Sequence, residues 1–103
     1  MTTKNYKAAA NEMMRIASAY ALVYNCNLIE SDMKAYAGRI AEYRDAMVQE
    51  NSKFSYTDRF YIRHRGVEST KQRVDELHDQ ILATVEVCYD KNSGVYNVNV
   101  YRA

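Results

Sequence analysis

An α+β domain is what this sequence predicts: an antiparallel helical hairpin and a third helix packed on a small antiparallel sheet, in the order α-α-β-α-β-β, ending in a β-hairpin. Two long N-terminal segments repeat their apolar residues at spacings of three and four, the period of a helix face. Later segments alternate apolar and polar residues, the period of a strand. Between the last two of these stands Asp90-Lys91-Asn92-Ser93-Gly94, a strong turn signal.

The first helix is expected from about Asn5 to Tyr24, with Tyr6, Ala10, Met13, Ala17, Tyr20 and Tyr24 as its stripe and Thr3 as its cap. Asn25-Cys26-Asn27 breaks the pattern, and Asn27 with Glu30 has the form of a capping box for a second helix. Its stripe is Ile29, Met33, Tyr36, Ile40, Tyr43 and Met47; Glu30 and Lys34 make a favourable pair one turn apart, and the helix fades near Glu50-Asn51-Ser52. A short link between two striped helices makes them antiparallel neighbours sharing a core.

Lys53 to Gly66 has no helical period. Phe54, Tyr56, Phe60 and Ile62 read as the inward row of a strand, with Arg59, Tyr61, Arg63 and Arg65 outward. A third helix is expected from about Val67, capped by Ser69, with Val67, Thr70, Val74, Leu77 and Ile81 inside. A strand from about Thr84 puts Val85, Val87 and Tyr89 on one face. After the turn, Tyr96, Val98 and Val100 alternate with Asn97, Asn99 and Tyr101, and Gly94 suits a positive φ at the turn's exit.

With 103 residues the chain has room for one domain, 1–103. At 48% apolar, 26% charged and a net charge of +1, it has the composition of an ordinary globule with no global field for nucleic acid or membrane. The charge is uneven: residues 53–73 carry six cations and two acids, while 28–52 carry three and five, and 74–103 carry two and five. Cys26 and Cys88 are far apart without metal-ligand spacing, which reads as free thiols in a reducing compartment. No signal-peptide pattern and no membrane-length apolar run occur, so a cytoplasmic protein is expected.

Little in the sequence points to chemistry. His64 lies between Arg63 and Arg65, which lower its pKa and suit it to donating to a phosphate more than to catalysis. His78 stands between Asp75 and Asp79, but neighbouring ligands on one helix make a poor metal set, so the acidic stretch reads as a solvated face. The three glycines are isolated and build no phosphate loop. A non-enzymatic protein without cofactor or metal is therefore expected.

The distinctive segment is Lys53 to Arg65, KFSYTDRFYIRHR, where both phenylalanines, two tyrosines and four cations meet one acid. Arg59, Tyr61, Arg63, His64, Arg65, Lys71, Arg73 and Tyr101 are the candidate contact residues. Tyrosine and arginine are enriched at protein-binding hot spots, and ten tyrosines with no tryptophan are a large supply, Tyr89 and Tyr96 included. A protein or nucleoprotein complex is the expected partner. The second reading is nucleic acid bound through residues 53–73, with cations on phosphates and Tyr61 or Tyr56 stacked on bases. A helical stripe could also serve a homodimer. In general character (short, without enzyme motifs, rich in tyrosine and asparagine) the chain is similar to small phage or mobile-element inhibitors such as anti-CRISPR and anti-restriction proteins. That likeness implies an inhibitor that covers a host nucleic-acid-handling complex, with the acidic faces of the second and third helices contributing.

Overall fold

Two helices lie against one face of a five-stranded antiparallel sheet in this computed structural model, which describes residues 1–24, 30–63, 66–76 and 81–102. In chain order the elements are β1 (Thr2–Thr3), α1 (Tyr6–Tyr24), α2 (Glu30–Met47), β2 (Tyr56–Arg63), β3 (Gly66–Glu68), α3 (Lys71–Glu76), β4 (Ile81–Asp90) and β5 (Val95–Arg102). The sheet order is β1-β5-β4-β2-β3, so the longest strand, β4, is central.

Helix α1 starts one residue later than expected because Asn5, not Thr3, caps it. The Asn5 side chain accepts the backbone N–H groups of Lys7 at 2.9 Å and Ala8 at 3.2 Å, while Thr3 accepts from Asn5 at 3.1 Å. Thr3 is thereby released to pair with Tyr96 at the sheet edge. The α1 stripe buries Ala9, Met13, Ile16 and Ala17, and the α2 stripe buries Tyr36, Ile40 and Met47. The Tyr36 hydroxyl ties the helices by donating to the Ala17 carbonyl at 3.5 Å, and burial pushes its pKa up to about 12. The capping box at Asn27, Cys26 and the side chains of Tyr24, Ile29, Glu30 and Met33 lie outside what is described.

The inner sheet face supplies Phe60, Ile62, Val67, Ala83, Val85, Val87, Tyr96 and Val98 to the same cluster. Phe60 stacks on Tyr43 of α2 with ring centroids 5.7 Å apart. Each fully buried Val, Ile, Met or Phe here contributes roughly 1.5–3 kcal/mol of transfer free energy, which makes this interface the main source of stability.

The second half of the chain departs from expectation in two places. Val67 is a strand residue in β3, paired with Ile62, and Ile81 opens β4, so the third helix is confined between these strands and is described over Lys71–Glu76. Its cap is Thr70, whose hydroxyl accepts the Arg73 N–H at 3.2 Å, rather than Ser69. The β-branched run from Ile81 gains a ladder on both sides of β4, which outweighs extending a short helix. Only Val74 of α3 is buried, outside the helix–sheet cluster; Leu77 lies outside the described residues. Phe54 is the other correction: it is 73% exposed, because the strand begins only at Tyr56 and the Ser52 hydroxyl holds the Phe54 backbone in a turn. The final hairpin closes at the expected turn and β5 keeps its expected bounds, while β4 begins at Ile81, three residues before Thr84; Gly94 sits at φ +70°, where a side chain would be strained.

Candidate functional site

Strand pairing decides which side chains share the sheet's outer face, the one turned away from α1 and α2. Phe60 and Val85 point inward, so their neighbours one residue away point outward. Across the strands this builds three polar rows: Glu68–Tyr61–Thr84–Tyr101, then Arg59–Glu86–Asn99, then Thr57–Cys88–Asn97–Thr2. Four of the candidate contact residues, Arg59, Tyr61, Arg63 and Tyr101, therefore come from two strands to one surface.

At its centre is Glu86, a carboxylate only 8% exposed. Arg59 pairs with its Oε2 at 2.7 Å, while the Tyr101 hydroxyl and the Cys88 thiol both donate to Oε1 at 3.3 Å. The Thr57 hydroxyl lies 3.6 Å from the Cys88 sulfur and extends the network to the next row. Burial alone pushes the Glu86 pKa up, but the Cys88 thiol, Arg59 and Tyr101 outweigh it and hold the carboxyl below its ordinary range. The neighbours answer in kind. Burial and the bond to Glu86 raise the Cys88 thiol, and the charge on Glu86 raises the Tyr101 hydroxyl. Such a thiol is a hydrogen-bond donor at neutral pH, not a nucleophile.

The Arg63 side chain lies over Gly66, with Nη2 3.4 Å from where a Cβ would stand. At the β3 border, Arg73 of α3 approaches Glu68 at 3.9 Å. Lys71 is exposed on the same short helix. His64 and Arg65 lie outside the described residues, as does His78.

Two tyrosines expected at the surface are elsewhere. Tyr96 is buried on the inner side, where its hydroxyl donates to the Gln49 carbonyl, and Tyr89 packs between Tyr56 and Tyr96 at centroid distances of 5.5 and 4.6 Å. The alternation of β4 and β5 places both on the valine side, and three rings together close the end of the core beneath the residues that follow α2.

Sequence reasoning passed over Glu86, Cys88 and Thr57. The available signal was one acid among valines in Val85-Glu86-Val87, at the parity opposite the core. A shallow open depression of about 590 Å³ continues this face toward the β4–β5 turn, lined by Thr57, Cys88, Asp90, Ser93 and Asn97 among others. Among the described residues no group of three or more His, Cys, Asp or Glu is placed to hold a metal ion, and no helix is long and apolar enough to cross a membrane. Comparison of the chain with protein-family models, with curated proteins and with solved structures finds no match, so the reading of this surface rests on its own geometry.

Proposed function

We propose that this chain is a small, non-enzymatic protein-binding module that meets its partner with the outer face of its sheet. The observation that carries the reading is the Arg59–Glu86–Tyr101 network, which holds an arginine and a tyrosine in place on a surface the long helices leave uncovered. Preset side chains lose little rotamer freedom on binding, and Tyr and Arg on a rigid sheet are effective anchors. The charge balance favours protein over nucleic acid. Arg59 is paired with Glu86 and Arg73 approaches Glu68, so two of the described cations at this end of the sheet already face carboxylates, which weighs against a phosphate-tracking strip. The partner class taken from the chain's general character is a host nucleic-acid-handling complex, covered by this face as a small inhibitor covers a working surface.

Side-by-side affinity capture from the native host tests the proposal, using the wild type, Tyr61→Ala with Arg59→Glu, and Ala35→Lys on the exposed side of α2. The expected result is one stoichiometric partner, kept by Ala35→Lys and lost with the face variant. Equal capture by both variants, or no partner at all, overturns it. A mobility shift with steep salt dependence, weakened by Arg63→Ala with Arg65→Ala, would establish the nucleic-acid reading instead.

A further inference from the structure

The two edges of the sheet are not alike. On one side β3 is three residues long, and the Arg63 side chain lies over its Gly66. On the other side β5 runs eight residues from Val95 to Arg102, whereas β1 covers it only at Tyr96 and Asn97, with Met1 closing on Val98.

The hydrogen bonds fix which backbone groups of β5 face outward. Val98 donates its N–H to the Met1 carbonyl at 2.8 Å, and its own carbonyl accepts from the Met1 nitrogen at 2.9 Å. Antiparallel ladders alternate, so the N–H and C=O of Val100 also point outward, away from β4. Among the described residues no strand lies there to meet them. The apolar side chains agree with the backbone. Of the exposed large hydrophobic residues, Met1, Val100 and Tyr101 gather along this edge, Tyr101 being 52% exposed. Few of the usual safeguards are present: β5 contains no lysine, no proline and no bulge, and its one charged residue, Arg102, donates from Nε to the Tyr20 hydroxyl of α1 at 3.2 Å.

We propose that this half of β5 is a self-association edge, on which β5 of a second copy pairs antiparallel about a two-fold axis at Tyr101. A strand held extended by its own sheet is preorganised for edge pairing, whereas a disordered peptide must first lose its conformational freedom. The register centred on Tyr101 leaves the Met1–Val98 bonds intact and gives the outward groups of Val100 a backbone to pair with. It also sets Tyr101 against Tyr101, a favourable aromatic cross-strand pair, and places Arg102 opposite Val100 so that no like charges face each other. The two outer faces then join into one surface bearing the Arg59–Glu86 network twice. Among the described residues, Met13 and Ala17 of α1 and Tyr36, Ile40 and Met47 of α2 are buried in the core cluster, so this edge is a surface separate from the helical stripes. This inference stands whatever the outer face binds.

Sedimentation velocity across the micromolar to millimolar range tests it. The expected result is a reversible dimer with a dissociation constant on the order of micromolar, as suits a small interface. Val100→Pro removes only an outward N–H, so it leaves the ladder to β4 intact and should weaken the dimer about tenfold, since two backbone bonds are lost per dimer. Val100→Lys should do the same by setting a lysine against Arg102 of the second copy, and it decides the matter if Val100→Pro does not fold. Val100→Glu, which sets a carboxylate against that arginine, should instead keep the dimer or tighten it. A monomer at every concentration, or a dimer unchanged by both Val100→Pro and Val100→Lys, overturns the proposal.

Discussion

Replacing Glu86 by glutamine isolates the charge at the centre of the outer face. The amide keeps the shape and can still accept from Tyr101 and the Cys88 thiol, but it loses the charge that pairs with Arg59 at 2.7 Å. A hydrogen bond to a charged group contributes about 1.5–3 kcal/mol when buried. The Arg59 side chain is 49% exposed, however, so solvent screens its half of the pair and the expected loss falls to about 1–2 kcal/mol. In a domain of this size that is a fall in Tm of roughly 5–10 °C. The pH dependence gives the sharper test. Glu86 is held below its unfolded value, so its contribution is fully present above about pH 4.3 and is lost as pH falls through the lower folded value. Urea unfolding of the wild type and Glu86→Gln from pH 7 down to pH 3 should show two curves that converge in acid. In an Arg59→Leu background the cost of Glu86→Gln should shrink. A gap that is absent at pH 7, or equally wide throughout, would refute the argument that a paired carboxylate organises this face.

The two phenylalanines make a matched contrast: Phe60→Ala should cost about 3–5 kcal/mol by leaving a cavity under Tyr43, whereas Phe54→Ala should stay within about 0.5 kcal/mol, both read by chemical denaturation. Gly94→Ala should lose roughly 1 kcal/mol, read as a lower Tm; the space around it is open, so backbone strain at φ +70° is the whole effect. Burial pushes the Tyr96 hydroxyl up to about 12, so following phenolate absorbance during alkaline titration should show a late-ionising tyrosine that Tyr96→Phe removes. Loss of an early-ionising one in that variant would contradict the buried placement.

Periodicity reveals which face of an element is apolar, and it does so best where that face is long. The stripes of α1 and α2 and the alternation of β5 were legible because about five helical turns, or four strand repeats, make the same choice each time. The stretch from Val67 to Ile81 was not. Val67, Thr70, Val74 and Leu77 satisfy a helical spacing, and nothing in that spacing says that Val67 has a partner in Ile62 and Ile81 one in Arg63. Pairing between distant residues supplies the free energy there, and local propensity is overridden. Phe54 shows the converse. Its parity matches Tyr56, but a single serine-held turn places it outside the ladder.

The site was half legible, and the half that was missed follows from register. Arg59, Tyr61 and Arg63 declare themselves by alternation within one strand, without reference to any other. Glu86 becomes meaningful only when a strand lies on each side of it. Yet one of those strands was within reach: the turn Asp90 to Gly94 sets Asp90 against Val95, and counting back along the hairpin sets Glu86 against Asn99 and Thr84 against Tyr101. That count alone brings an acid beside Tyr101 on the side opposite the valines. The other neighbour, Arg59, comes from a strand that enters β4 across a helix and an edge strand, and its register depends on the bulge near Arg63, which no turn residue announces. A buried acid on the polar side of a central strand therefore carries a definite inference even when its partner is unknown. Its charge must be met from across the sheet, and the cation that meets it will be held in place on the exposed face.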